Sequence, residues 1–152
     1  MESRPLTPAE RELAASVFGK AIDYDAVKLC RQKWWPFHPV NTLMAPDGHI
    51  WFHPKGPFWR DDFGDAPVKL QGLFLHEMTH VWQRQSGIFL PLRRHPFCRY
   101  HYTLKPGSKL ARYGLEQQAE IVRHTFLLRQ GFTIAGAPSL KSYETILPFK
   151  PQ

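Results

Sequence analysis

The stretch Val68-Lys69-Leu70-Gln71-Gly72-Leu73-Phe74-Leu75-His76-Glu77-Met78-Thr79-His80-Val81-Trp82-Gln83-Arg84-Gln85 decides how this chain reads. Its spacing predicts a helix from about Val68 to Gln85, and inside it stands the pattern H-E-x-x-H at His76-Glu77-Met78-Thr79-His80. Positions i and i+4 share a helix face, so the two imidazoles can grip one zinc ion while Glu77, about 100° round, reaches a water beside it. Zinc-dependent hydrolysis is therefore the leading expectation.

The surroundings of the motif support it. With about 100° per residue and His76 at zero, Leu70, Phe74, Leu75, Met78, Val81 and Trp82 fall between about 120° and 260°, whereas His80 and Glu77 lie near 40° and 100°. The polar triplet thus occupies one flank of a helix that otherwise faces a core. Gly72, near the His76 edge, leaves room for another element to approach closely.

Two histidines do not complete a catalytic zinc site, which normally has three protein ligands and an open position. The extended pattern H-E-x-x-H-x-x-G-x-x-H fails here, because Gln83 and Ser86 stand where Gly and the third His would be. A glutamate from a second helix is the next option. Glu116-Gln117-Gln118-Ala119-Glu120 opens a second helical run that lasts to about Gln130. Glu116 and Glu120 share a face, with Leu127 in the same stripe and apolar residues on both sides. This predicts that the two acids are buried, and a buried carboxylate is costly unless it is paired or coordinates a metal.

With these residues in place the chain resembles the gluzincins, metallopeptidases in which H-E-x-x-H is followed on a later helix by a glutamate ligand and, four residues on, by an acid that supports a ligand histidine. The resemblance implies Glu116 as ligand and Glu120 as supporting acid, and it implies an α+β, zincin-like minimal metallopeptidase domain: a metal-binding helix, a second glutamate-bearing helix and a small sheet. The second acid of that group is more usually Asp, so the two glutamate roles stay exchangeable at this point. A wider resemblance covers most of the chain. Leu6-Thr7-Pro8-Ala9-Glu10, Val17-Phe18-Gly19, the motif through Gln83 and the run Tyr113-Gly114-Leu115-Glu116 onward are similar to small bacterial proteins labelled Vgr-related. Those proteins resemble toxin-associated metallopeptidase-like domains found near type VI secretion systems, which implies a secretion-system component.

Composition agrees with a single domain over residues 1–152: 43% hydrophobic residues argue against disorder. No run of 18 or more apolar residues suggests a membrane span, and Met1-Glu2-Ser3-Arg4-Pro5 lacks a signal-peptide core. The expectation is a cytoplasmic protein, or one exported by a machine that needs no cleaved signal. Cys30 and Cys98, without a C-x-x-C partner, read as reduced core thiols. Twenty Lys and Arg against 13 Asp and Glu give a net charge of +7, which attracts acidic partners without choosing among them. The basic cluster Arg93-Arg94-His95 with Arg99, beside Phe97, Tyr100 and Tyr102, reads as a solvated loop over the cleft more readily than as a nucleic-acid surface.

Along the chain, Thr7, Pro8 and Glu10 form a capping box that starts a helix running to about Phe18, where Gly19 ends it. Residues 27–34 and 49–53 read as strands, the latter entered through Pro46-Asp47-Gly48. In the resembling metallopeptidases a strand just before the metal helix lies along the cleft; here it would be residues 50–53, for which an interior position in the sheet is equally expected. Residues 54–67 have surface-loop composition, and Pro67 suits the start of the metal helix. Residues 86–112 form a long connection of the kind that often carries a lid or a binding segment.

The chemistry these residues predict is hydrolysis of an amide bond in a peptide or protein, a cell-wall stem peptide among the options. His76 and His80 hold Zn2+ with Glu77 as the general base, and the resemblance implies Glu116 as the third ligand with Glu120 behind the ligands. An oxyanion stabiliser is also required; His95, Tyr100, His101, Tyr102 and Tyr113 are the candidates. Two other classes compete: a catalytically silent, zinc-stabilised adaptor of a secretion apparatus, and a basic nucleic-acid-binding module.

Overall fold

The computed structural model of the chain describes residues 2–88, 90 and 100–150. It is α+β, with a small mixed sheet and several helices. The elements are β1 (Glu2–Pro5), α1 (Pro8–Phe18), β2 (Lys28–Arg31), β3 (Leu43–Met44), β4 (Ile50–Phe52), α2 (Val68–Gln85), α3 (Leu115–Arg129) and α4 (Leu140–Glu144), with short 3-10 turns at Tyr24–Ala26, Phe63–Asp65 and Leu110–Arg112.

The first helix starts as its sequence predicts. Glu10 N donates to Thr7 Oγ1 at 3.0 Å and Thr7 N donates to Glu10 Oε1 at 2.9 Å, closing the capping box, and Gly19 ends the helix at φ 57°. Glu10 does more than cap. Fully buried, it accepts both Arg4 Nη groups at 2.8 and 2.9 Å and the Phe63 amide at 2.8 Å. One carboxylate thus ties β1, α1 and the segment leading to α2 together, and its charge is matched by a bidentate guanidinium.

The sheet order is β1-β2-β4-β3, antiparallel between β1 and β2, parallel between β2 and β4, and antiparallel between β4 and β3. The strand expected over 27–34 shortens to Lys28–Arg31, and the one over 49–53 to Ile50–Phe52. β4 takes the interior position, with Leu43 opposite Phe52 and Met44 opposite Trp51. The edge that borders the cleft therefore belongs to β3, not to residues 50–53.

α2 is packed on the sheet through a column of rings. Phe52 of β4 stacks on Phe63 with centroids 5.8 Å apart, and Phe63 on Phe74 of α2 at 5.3 Å. All three are buried. Residues 54–67 are thus not merely a surface loop: Phe63 and Ala66 enter the core, and Gln71 Nε2 holds the carbonyls of Phe63 and Gly64 at 3.1 Å each. Phe74, Leu75, Met78 and Val81 are fully buried as the helical wheel predicts, and so are His80, Thr79 and Gln83 on the other flank. α2 is covered on both flanks, because α3 lies against the face that carries the motif. Gly72 permits this approach: a Cβ there would stand 3.4 Å from Arg123 Cγ and from Leu127 Cδ2 of α3.

A second apolar cluster, Leu110, Ile121, Tyr143 and Ile146, packs α4 against the outer side of α3. Arg129 and Glu144 brace the same junction with two hydrogen bonds of 2.8 and 2.7 Å. No helix among the described residues is long and apolar enough to cross a membrane. Cys30 is a buried free thiol whose pKa is raised by burial and by the charge of Asp47; Cys98 lies outside the described residues.

Candidate metal centre

His76 and His80 stand one turn apart on α2, with ring centroids 5.2 Å apart, and Glu116 in the first turn of α3 reaches between them. Glu116 Oε1 lies 3.2 Å from His76 Nε2 and 2.8 Å from His80 Nε2. The three residues are buried, and one ligand atom from each lies within 4.8 Å of the others, so the group could bind a metal ion. Helix register explains the convergence: α3 packs on the Gly72 side of α2, and its first turn then falls opposite the last two turns of the motif helix.

The remaining imidazole nitrogens are spoken for. Gln83 Nε2 donates to the Leu115 carbonyl at 3.0 Å and to Gln118 Oε1 at 2.9 Å, while Gln118 Nε2 donates to the Tyr113 carbonyl at 2.9 Å. That orientation leaves Gln83 Oε1 as an acceptor, 2.8 Å from His80 Nδ1. His80 must then carry its proton on Nδ1, which turns the Nε2 lone pair toward Glu116 and the would-be ion. On the other histidine, Nδ1 lies 2.9 Å from Glu120 Oε2. Both rings are therefore oriented from behind with Nε2 facing the shared point, a donor set of two nitrogens and one carboxylate oxygen that suits zinc.

Electrostatics agree that the cluster wants positive charge. Burial disfavours a charged His76, yet hydrogen bonds to Glu116 and Glu120, with the charges of Glu77 and Glu116, outweigh it and raise its pKa to about 9. Burial would push Glu120 up, but His76, Arg123 and His124 together hold its carboxyl below the usual range.

His76 and Glu77 line a cleft of about 490 Å³, along with Leu43 and Met44 of the sheet edge, Tyr100, Glu120 and Arg123. Glu77 is 6% exposed. Of the five residues considered for stabilising an oxyanion, Tyr100 reaches this cleft, its exposed ring 6.1 Å from that of His76. His101 and Tyr102 border a neighbouring cavity on the far side of Glu120. The Tyr102 hydroxyl is engaged there with His124 Nδ1 and, at 2.8 Å, with the Tyr143 hydroxyl; burial and Tyr143 push its pKa well up. Tyr113 is turned away, its hydroxyl accepting the Lys105 amide at 3.0 Å. His95 and the basic cluster with Arg93, Arg94 and Arg99 lie outside the described residues.

Sequence reading missed four residues here. Gln83 and Gln118 orient His80, and Arg123 and His124 extend the Glu116–Glu120 stripe by one turn. The spacing i+3 from His80 was the available signal for Gln83, and i+4 from Glu120 for His124.

No family model matches the chain. It is 40% identical over 157 residues to the type VI secretion system spike protein VgrG2b of Pseudomonas aeruginosa, an alignment that takes in 93% of this chain but 15% of that protein. The solved structure of the effector domain of Pseudomonas aeruginosa VgrG2b is similar with a TM-score of 0.80 at 37% identity, over 93% of this chain and 80% of that one. The chain thus spans a small fraction of the spike protein, and that fraction matches its effector domain.

Proposed function

This chain belongs to the family of the VgrG2b effector domain, and on that premise we propose that it is a zinc-dependent hydrolase of amide bonds, with a zincin-like site, that serves type VI secretion as an effector. The observation that carries the enzymatic part of the reading is the pairing of a buried His76–His80–Glu116 group with an acid, Glu77, that lines the adjoining cleft. A purely structural metal site has no use for that additional carboxyl group.

A zinc ion held by His76, His80 and Glu116 supplies Lewis acidity, lowering the pKa of water toward about 7 and polarising a carbonyl. The chain's own groups do the rest. Glu77 takes the proton of the attacking water and passes it to the leaving nitrogen. Gln83 and Glu120 keep the two imidazoles in the ligating tautomer throughout. Tyr100, the candidate that reaches the cleft, donates a hydrogen bond from its hydroxyl to the carbonyl oxygen as charge develops there. An extended peptide can lie along β3, the edge strand of the sheet, whose Leu43 and Met44 line the cleft.

The test is the variant Glu77→Gln. It keeps the carboxyl's shape without its basicity, so the zinc-loaded variant should retain metal and fold while hydrolysis of a broad peptide library falls by at least about 10²-fold, the contribution expected of a general base. Unchanged hydrolysis would remove Glu77 from the mechanism. If instead neither protein cleaves anything and Glu77→Gln still supports secretion-dependent killing as well as the unmodified chain, the protein is an adaptor with a structural metal.

A further inference from the structure

Arg123 is the one Lys or Arg that lines the cleft among the described residues. It sits one turn beyond Glu120 on α3, and its stem lies flat over α2, with Cγ 3.4 Å from the place a Gly72 side chain would start. The side chain is about one-third exposed and has a single ion pair among the described residues, Nη1 to Glu120 Oε2 at 3.4 Å. That is long for a charge-assisted hydrogen bond, which is usually about 2.7–2.9 Å. Glu120 Oε2 is already engaged by His76 at 2.9 Å. The Nε of Arg123 is buried with no hydrogen-bond partner among the described residues, so an entering ligand would have to meet its terminal Nη groups.

We propose that Arg123 makes the cleft selective for peptides that bear a carboxylate close to the scissile bond, either the substrate's own C-terminus or an acidic side chain. The inference rests on the cleft being a peptidase site. The planar guanidinium presents donors in a geometry that fits a carboxylate bidentately, which a lysine at the same place would not. Leu43, Met44, Phe58 and Leu73 form apolar walls around it, so the ion pair would form in a partly desolvated setting where it discriminates best. A role confined to holding Glu120 would act on metal affinity and leave ligand choice untouched, which separates the two readings experimentally.

Three mercaptoacyl dipeptides with a common metal-binding thiol provide the probe: one amidated and neutral, one with a free C-terminal carboxylate, and one amidated with a glutamate side chain. Their affinities for the zinc-loaded full chain are measured by calorimetry, and the quantity read is each carboxylate ligand's affinity relative to the neutral one. At least one carboxylate ligand should bind on the order of 10-fold more tightly than the neutral ligand, as a hydrogen bond to a charged group allows, and the one that does so identifies the source of the carboxylate. The ratio should fall to near one in Arg123→Gln and be partly kept in Arg123→Lys. A ratio near one for both carboxylates in the unmodified chain, or a preference that survives Arg123→Gln, overturns the proposal while leaving the metal centre standing. Failure of the neutral thiol itself to bind would instead overturn the metal-site reading, and this inference with it.

Discussion

Gln83 Oε1 stands 2.8 Å from His80 Nδ1, and it can only be accepting, because the Gln83 amide nitrogen is committed to Leu115 and Gln118. One buried amide thereby links the tautomer of a ligand histidine on α2 to the backbone at the start of α3, the helix that brings Glu116.

Replacing this amide should loosen the metal without breaking the fold. Gln83→Leu removes the acceptor, frees His80 to change tautomer, and strands the Gln118 carbonyl oxygen. Zinc affinity, measured by competition with a chelator, should fall about 10–100-fold, the usual cost of losing a group that orients a ligand. An affinity equal to that of the unmodified chain would show that packing alone orients His80.

Glu116→Gln should weaken zinc binding more than Glu120→Gln. Glu116 Oε1 lies between the two Nε2 atoms, whereas Glu120 meets His76 from behind at Nδ1. The same chelator competition on both variants checks the order, and the reverse order would exchange the two roles.

Protons compete with the metal at His76, and the competition should persist to unusually high pH. The pKa of His76 in the metal-free protein is raised from 6.5 to about 9, so zinc affinity should keep climbing up to about pH 9 instead of levelling near neutrality. Stability of the metal-free protein has the opposite sign. A raised folded-state pKa contributes stabilisation that is complete below about 6.5 and disappears as pH rises through about 9. Chelator titrations and thermal melts between these limits check both signs, and a zinc affinity that is flat above pH 7 would contradict the His76 environment described.

The ring column should matter more than any exposed aromatic. Phe63→Ala deletes the middle ring between Phe52 and Phe74 and should cost about 3–5 kcal/mol, as large-to-small changes in a packed core do. Phe37, 77% exposed, is the control, and Phe37→Ala should change stability by no more than about 0.5 kcal/mol. Denaturant unfolding of both variants makes the comparison.

The three long helices were legible in the sequence because their signals are local. Thr7 and Glu10 cap α1 from within four residues, the apolar stripe of α2 repeats over five turns, and Glu116 and Glu120 share a face by spacing alone. The short elements were not. β1 reads Glu-Ser-Arg-Pro, has no alternating pattern, and is a strand because β2 pairs with it and Glu10 holds Arg4. β3 is two residues long, and its place outside β4 decides which edge borders the cleft, something no periodicity in residues 50–53 carries. α4 exists through Tyr143 and Ile146 packing on Ile121. At the site, the histidines, Glu77 and the glutamate pair were visible as a pattern. The Gln83–Gln118 relay and the seat of Arg123 over Gly72 were not, since an amide's orientation and an arginine's reach depend on the neighbouring helix.

The central claim is that His76, His80 and Glu116 hold a zinc ion, and the most direct measurement is the metal content of the purified protein beside that of the His76→Ala, His80→Ala double variant, by elemental analysis at matched protein concentration. About one equivalent of zinc in the unmodified chain and essentially none in the folded double variant is the predicted result. Full occupancy in the double variant would contradict the assignment.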